Sequence, residues 1–173
     1  MGALAAAASA RAATLVTRSI GERASASDRV ALVKVGESRV DLPGGDPAKM
    51  MTYTRLDVLE DLKGKGPRRL ELVQIGGRSG QWERHVTGDA QMHAGEQALV
   101  FLFCRDEKAP GRCVLVGLAS GKLDVVAQKA GKPSEVRVRS PKGEERRRFA
   151  DVVAEVKGAK AAQGRTEQAE GTR

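Results

Sequence analysis

Gly95–Val126 reads GEQALVFLFCRDEKAPGRCVLVGLASGKLDVV, and its punctuation decides the fold. Ala98–Cys104 is apolar at every position. Asp106–Gly111 (DEKAPG) is a polar loop closed by Pro-Gly. Cys113–Leu118 is apolar again, apart from Gly117. Ala119–Lys122 (ASGK) turns, and Leu123–Ala127 (LDVVA) follows. Short runs rich in Val, Leu and Phe and bounded by Gly and Pro read as strands. An unbroken apolar run marks a strand covered on both faces or lining a small barrel. Connections this short favour antiparallel neighbours, because a parallel crossover needs about a dozen residues. The stretch is therefore expected to form a three-stranded meander. The competing reading is a buried helix over Ala98–Cys104, which the close bracketing by Gly and Pro disfavours.

On either side, strands continue. Ser19–Ser27 opens with Ser19-Ile20-Gly21-Glu22, a capping-box pattern that predicts a short helix. Val30–Val35 is a β-branched strand. Gly36–Pro47 ends in Pro43-Gly44-Gly45-Asp46-Pro47 and reads as a loop. In Met50–Leu62, Met50, Thr52, Thr54, Leu56, Val58 and Leu62 share one parity, whereas Tyr53, Arg55, Asp57 and Asp61 share the other. Period two predicts a long strand with one wet face, against a competing helix through Leu56–Leu62. Arg69–Ile75 is the next strand, and a short one is expected across Trp82–Val86. Glu135–Arg139 is expected as a charged edge strand. Phe149, Val152, Val153 and Val156 recur at helical spacing, so Glu144–Ala162 is expected as an amphipathic helix. Gln163–Arg173 reads as a disordered polar tail.

The 173 residues suit one domain, and aromatics at 3% leave an aliphatic core. No apolar run approaches the ~20 residues of a membrane helix. The net charge of +8 sits on the flanks, +3 over residues 1–35 and +5 over 128–173, while 36–127 is neutral. That distribution argues against a nucleic-acid face on the folded surface. Met1–Ala12 is Ala-rich, and Ala10-Arg11-Ala12 fits a signal-peptidase site, although the basic n-region is missing. It is read as a truncated signal peptide or a disordered leader; the first implies export to the periplasm or outside.

The order of these pieces resembles a family of short exported bacterial domains. Leu62-Lys63-Gly64 ends a long strand, and Gly76-Gly77 follows. Gly95-Glu96 leads into Val100-Phe101-Leu102, and Val116-Gly117 and Gly121-Lys122-Leu123 precede the last strands. The resemblance covers about residues 14–127, implies a small OB-like β-barrel and brings no catalytic residue with it. The expected architecture is thus mainly β: a small antiparallel OB-like barrel or rolled sheet of about six to seven strands. It spans residues 13–143, with a short N-terminal helix and a C-terminal amphipathic helix at 144–162.

Few residues carry chemistry. Cys104 and Cys113 flank their loop symmetrically and face each other in a simple hairpin. Opposed strand positions hold Cβ atoms about 4.5–5.5 Å apart and a disulfide wants roughly 3.5–4.5 Å, so the closer register suits a bridge. In an oxidising compartment that disulfide is expected; otherwise the two are buried thiols. His85, Asp89 and His93 are the metal candidates, but their spacing matches no ligand pattern and they read as loop residues. Gly76-Gly77-Arg78-Ser79-Gly80 lacks the spacing of a phosphate loop and reads as a tight turn. Arg137, Arg139, Lys142 and Arg146-Arg147-Arg148 form a basic patch for an anionic partner, diluted by Glu144 and Glu145. A base-stacking platform needs exposed aromatics, and Phe101 and Phe103 are expected in the core. No cofactor is indicated. The expected function is an exported, non-enzymatic binding or structural module with a protein or anionic cell-envelope partner. The alternatives are an OB-like single-strand nucleic-acid binder and a metal-dependent enzyme using His85 and His93.

Overall fold

The computed structural model of the chain describes residues 18–105, 109–140 and 143–170. The leader Met1–Ala12, loop residues 106–108, Lys142 and the last three residues of the tail lie outside the described residues. The described elements are α1 (Ile20–Ala26), β1 (Arg29–Asp41), β2 (Met51–Lys63), β3 (Arg69–Ile75), β4 (Gly77–Ser79), β5 (Trp82–Arg84), β6 (Gln97–Phe103), β7 (Arg112–Leu115), β8 (Lys122–Lys129), β9 (Lys132–Ser140), β10 (Gly143–Arg148) and α2 (Phe149–Glu170). The protein is mainly β. No helix among the described residues is long and apolar enough to cross a membrane.

β6 is the hub. One of its edges pairs with β1, from Arg29↔Leu102 to Lys34↔Gln97. Its other edge is shared end to end by β7 (Leu102↔Leu115, Phe103↔Val114) and β8 (Ala98↔Asp124 to Val100↔Lys122). The expected meander in sequence order is therefore corrected: β6 carries both partners, and β7 and β8 do not pair. The cause is local. Val116 N–H still donates to Phe101 O at 2.9 Å, and the chain then steps out at Gly117 (φ 83°) through a 3-10 turn, Leu118–Gly121. It returns to the same edge as β8.

The sheet has the order β1-β2-β3-β7-β6-β8-β9-β10, and β4–β5 form a separate hairpin. The all-antiparallel expectation fails at one pair: β3 and β7 are parallel, with Glu71↔Arg112 and Leu72↔Cys113 in register. Because β1 also pairs with β6, the path β1–β2–β3–β7–β6 leads back to β1. Eight strands and the β4–β5 hairpin replace the six or seven expected.

Two cores explain the unbroken apolar runs. Ala31, Val33 and Val35 of β1 meet Leu56, Leu72, Ala98, Val100, Leu102 and Cys113 within the closed path. Val30, Leu99 and Phe101, of opposite parity, pack with Leu123, Val136 and Val138 under Ile20 and Ala24 of α1 and Val152 and Val156 of α2. Residues 29–33 of β1 and 98–102 of β6 are thus buried on both faces, which requires apolar side chains at both parities. β2 alternates as expected, with Thr54, Leu56, Val58 and Leu62 buried and Arg55 exposed.

The helix termini divide the expectations. The capping box of α1 forms: Ser19 Oγ accepts from Glu22 N–H at 3.2 Å, and Ser19 N–H donates to Glu22 Oε2 at 2.7 Å. At the C-terminus the expected helix start is wrong. Glu144–Arg148 belongs to β10, so β9 is not the edge of the sheet. Cross-strand neutralisation favours the strand: Arg139 meets Glu144 at 3.0 Å, and Arg146 meets Glu135 at 3.9 Å. α2 begins at Phe149, where the apolar spacing begins, and continues to Glu170, beyond the expected boundary at 162. The segment is rich in Ala, Gln, Glu and Lys, all strong helix formers.

Candidate functional site

The wet faces of β2 and β3 lie side by side and are built from complementary charges. Register pairs Arg55 with Glu71, Asp57 with Arg69 and Tyr53 with Val73. Arg39 of β1 lies opposite Tyr53. Arg112 joins from β7 through the parallel pairing with Glu71. Between this face and Ala109–Arg112 opens a cleft of about 440 Å³.

Glu71 organises one side of it. Arg39 Nη2 donates to Glu71 Oε1 at 2.8 Å, and Arg112 Nε donates to Oε2 at 3.1 Å. Both guanidiniums also lie over the Tyr53 ring, at 4.2 and 5.4 Å from its centroid. Burial pushes the Glu71 carboxyl up, but the hydrogen bonds and charges of Arg39 and Arg112 outweigh it and hold the group below the usual range. On the other side, Asp57 is shared by Arg55 Nε and Arg69 Nε, each at 3.4 Å.

The rim of the cleft is pinned. Phe103↔Val114 sets Cys104 opposite Cys113, and the two form a disulfide with Cα atoms 4.2 Å apart. Asp28 holds the first leg, accepting from Cys104 N–H at 3.1 Å and from Arg105 Nε at 3.1 Å. Gly111 O holds the second, accepting from Glu71 N–H at 2.9 Å.

The other candidates from sequence scatter. Arg137, Arg139 and Arg146 line a separate concavity of about 540 Å³ whose floor holds buried Lys122. Lys122 Nζ lies 2.6 Å from Glu96, 2.8 Å from Asp124 and 2.6 Å from Gln91 O. Arg137 and Arg139 share Glu144, at 3.7 and 3.0 Å. Arg147 and Arg148 turn instead to α2, reaching Glu155 at 3.1 Å and Asp151 at 2.9 Å. The basic patch is thus split, and each of these arginines has a carboxylate within 4 Å. His85 and Asp89 line a concavity of about 300 Å³, whereas His93 lines the one with Lys122. Among the described residues no group of three or more His, Cys, Asp and Glu side chains converges as a metal site would. The tight turn expected at Gly76–Gly80 is corrected: Gly77–Ser79 is strand β4, paired with β5, and the turn lies at Gly80-Gln81. Phe103 is corrected: it is 41% exposed, because its parity continues that of Leu99 and Phe101 beyond the helices, and Arg105 covers its ring at 5.2 Å.

Arg39, Tyr53, Arg55, Arg69, Glu71 and Arg112 were not singled out from sequence as a site. Their available signal was the wet-face parity of β2. No family model, curated protein or solved structure matches the chain.

Proposed function

We propose that the chain is an exported, non-enzymatic binding module on an OB-like closed barrel, with its ligand face on β1–β3. Three observations support the reading. The strand path β1–β2–β3–β7–β6–β1, with one parallel pair, matches the five-stranded Greek-key circuit of an OB barrel. The Cys104–Cys113 disulfide suits an oxidising compartment, as does the Ala10-Arg11-Ala12 sequence of the leader. The observation that carries the binding function is the position of the cleft. OB barrels bind across strands 2 and 3 between the loops that follow strands 1 and 4. Here the cleft lies on those strands, against the loop after β6, the fourth strand of that circuit.

A photo-crosslinking amino acid placed at Tyr53 tests the face, with one at exposed Leu59 as control. Adducts in intact cells from position 53 and not from 59 support the reading; equal labelling or none at either position sinks it. Export is tested by intact mass: a chain beginning near Ala13 with no free thiol, found in the cell envelope, is expected. A full-length, reduced chain in the cytosol rejects it.

Single-strand nucleic-acid binding is the second reading, favoured by Tyr53 among four arginines on the same face. It requires oligonucleotide affinity that falls steeply with salt.

A further inference from the structure

The inward faces of β1–β3 change character along their length. Val33, Val35, Leu56, Leu70 and Leu72 are aliphatic and buried. The next inward positions are Ser38, opposite Thr54, and Gln74, opposite Thr52. Valine would fill the shape of threonine there without a hydroxyl to satisfy. Gly77 brings its backbone against this polar end: a Cβ on it would stand 2.5 Å from Thr52 Oγ1 and 3.0 Å from Val40. Between these strands and residues 85–92 opens the concavity of about 300 Å³ that His85 and Asp89 line. It lies on the inward side of the strands, so it goes beyond the binding face proposed above.

The hydrogen bonds around it leave a definite set of groups over. Ser38 Oγ and Thr54 Oγ1 lie 2.8 Å apart. Thr54 is fully buried, and a buried hydroxyl hydrogen without an acceptor is costly, so Thr54 donates and Ser38 accepts. Ser38 is exposed and keeps its own hydrogen for another partner. Ala90 fixes two further groups. Its carbonyl accepts from Gln74 Nε2 at 2.8 Å, which leaves Gln74 Oε1 as an acceptor. Its N–H donates to Asp89 Oδ1 at 2.8 Å, which leaves Oδ2. Thr52 gives its hydrogen to Gly76 O at 2.7 Å and retains its lone pairs. The pocket thus presents one hydroxyl donor and three acceptors, Gln74 Oε1, Asp89 Oδ2 and Thr52 Oγ1. The segment carrying Asp89 and Ala90 is itself tied down. Gly88 O accepts from Ala119 N–H at 2.9 Å, and Gln91 O accepts from buried Lys122 Nζ at 2.6 Å. The groups are therefore held in place before any ligand arrives.

We propose that this pocket binds a neutral polyhydroxylated molecule of about monosaccharide size, its adjacent hydroxyls shared among Ser38, Gln74 and Asp89. A ligand hydroxyl both donates and accepts, so one kind of group satisfies the acceptors and the lone donor. The ions on the rim disfavour charged alternatives. Arg78 and Arg84 oppose an ammonium, and Glu83 and Asp89 oppose an anion. The volume of about 300 Å³ lies at the small end of ligand sites.

The test titrates the oxidised full chain, 15N-labelled, with glucose, galactose, mannose, ribose and mannitol. Each is taken to about 20 mM, well above a ~1 mM dissociation constant. Glucosamine and gluconate are the charged counterparts, and mannitol separates an open-chain ligand from a cyclic one. At least one neutral member is expected to shift amides of residues 38, 74–77 and 85–91 saturably. It is expected to bind at least about tenfold tighter than either charged counterpart. Asp89→Asn keeps an oxygen for Ala90 N–H and replaces the free acceptor by a donor; it is expected to weaken that ligand about tenfold with the remaining spectrum kept. Ser38→Ala is expected to act in the same direction. Should Ser38→Ala lose the fold, because Thr54 loses its acceptor, Asp89→Asn decides. No shift at the pocket with any neutral member overturns the proposal, as does tighter binding of glucosamine or gluconate. Affinity unchanged in Asp89→Asn also overturns it. Shifts confined to residues 55–57, 69–71 and 111–112 overturn it as well and place the ligand on the cleft instead. The crosslinking result at position 53 reports on the cleft alone, so the two readings fail separately.

Discussion

Removing the Cys104–Cys113 bond isolates what holds the rim of the cleft. The cysteines are nine positions apart, so the bond closes a loop of about ten residues, and the chain-entropy relation gives about 2.6 kcal/mol at 25 °C. The loop is also anchored at Asp28 and by the Glu71–Gly111 hydrogen bond, so native contacts survive when the bond is lost. The cost therefore falls mainly on the unfolded state. For a domain of this size, about 2.6 kcal/mol corresponds to roughly 5–10 °C in Tm. The Cys104→Ala/Cys113→Ala double variant is expected to melt lower by that amount in calorimetry, with an amide spectrum unchanged outside 103–115. Wild-type protein in reductant is expected to follow it. A shift below about 1 °C would show that the anchors alone fix the loop. Spectral changes spreading through β2 and β3 would show that the bond holds the sheet together, contrary to the reasoning.

Other perturbations probe separate links. Arg29 is 4% exposed, binds Asp61 at 2.7 Å and donates to Pro67 O at 3.0 Å; Arg29→Met leaves a partly buried carboxylate and is expected to cost about 3 kcal/mol in urea unfolding. Ser19→Ala removes the cap of α1 and is expected to cost about 1 kcal/mol by the same measurement. The Glu71 carboxyl is held below its ordinary range, so its contribution is present above the unfolded carboxylate value. It is lost as pH falls through the lower folded value. Acid melts of wild type are expected to fall more steeply there than those of Glu71→Gln. Parallel acid limbs contradict this.

The local alternations were legible and the order of strand pairing was not. Met50–Leu62 announces its buried face because Thr54, Leu56 and Val58 must enter a core while Arg55 and Asp57 stay wet. Ala98–Leu102 announces a doubly covered strand because Val100 and Phe101 face different cores. Ser19 and Glu22 carry their capping geometry in their spacing. By contrast, β10 hid in Gly143–Arg148, whose six residues show no apolar alternation. Only pairing with β9 brings Glu144 to Arg139. The parallel β3–β7 pair was invisible for a related reason. It joins segments some forty residues apart through closure of the whole path, which no local pattern encodes. The candidate cleft stayed hidden because Arg55, Asp57, Arg69 and Glu71 look like an ordinary solvated face until register sets them opposite one another. The basic patch misled because linear proximity of Arg146, Arg147 and Arg148 ignores strand parity, which sends Arg146 and Arg147 to opposite sides.

Interstrand nuclear Overhauser contacts test the closed path most directly. The account predicts backbone proton cross-peaks between Ala31 and Val100, closing β1 on β6, together with contacts of parallel type between Leu72 and Cys113. Absence of either set, or cross-peaks joining Val114 to Val125 as neighbouring hairpin strands, would contradict it.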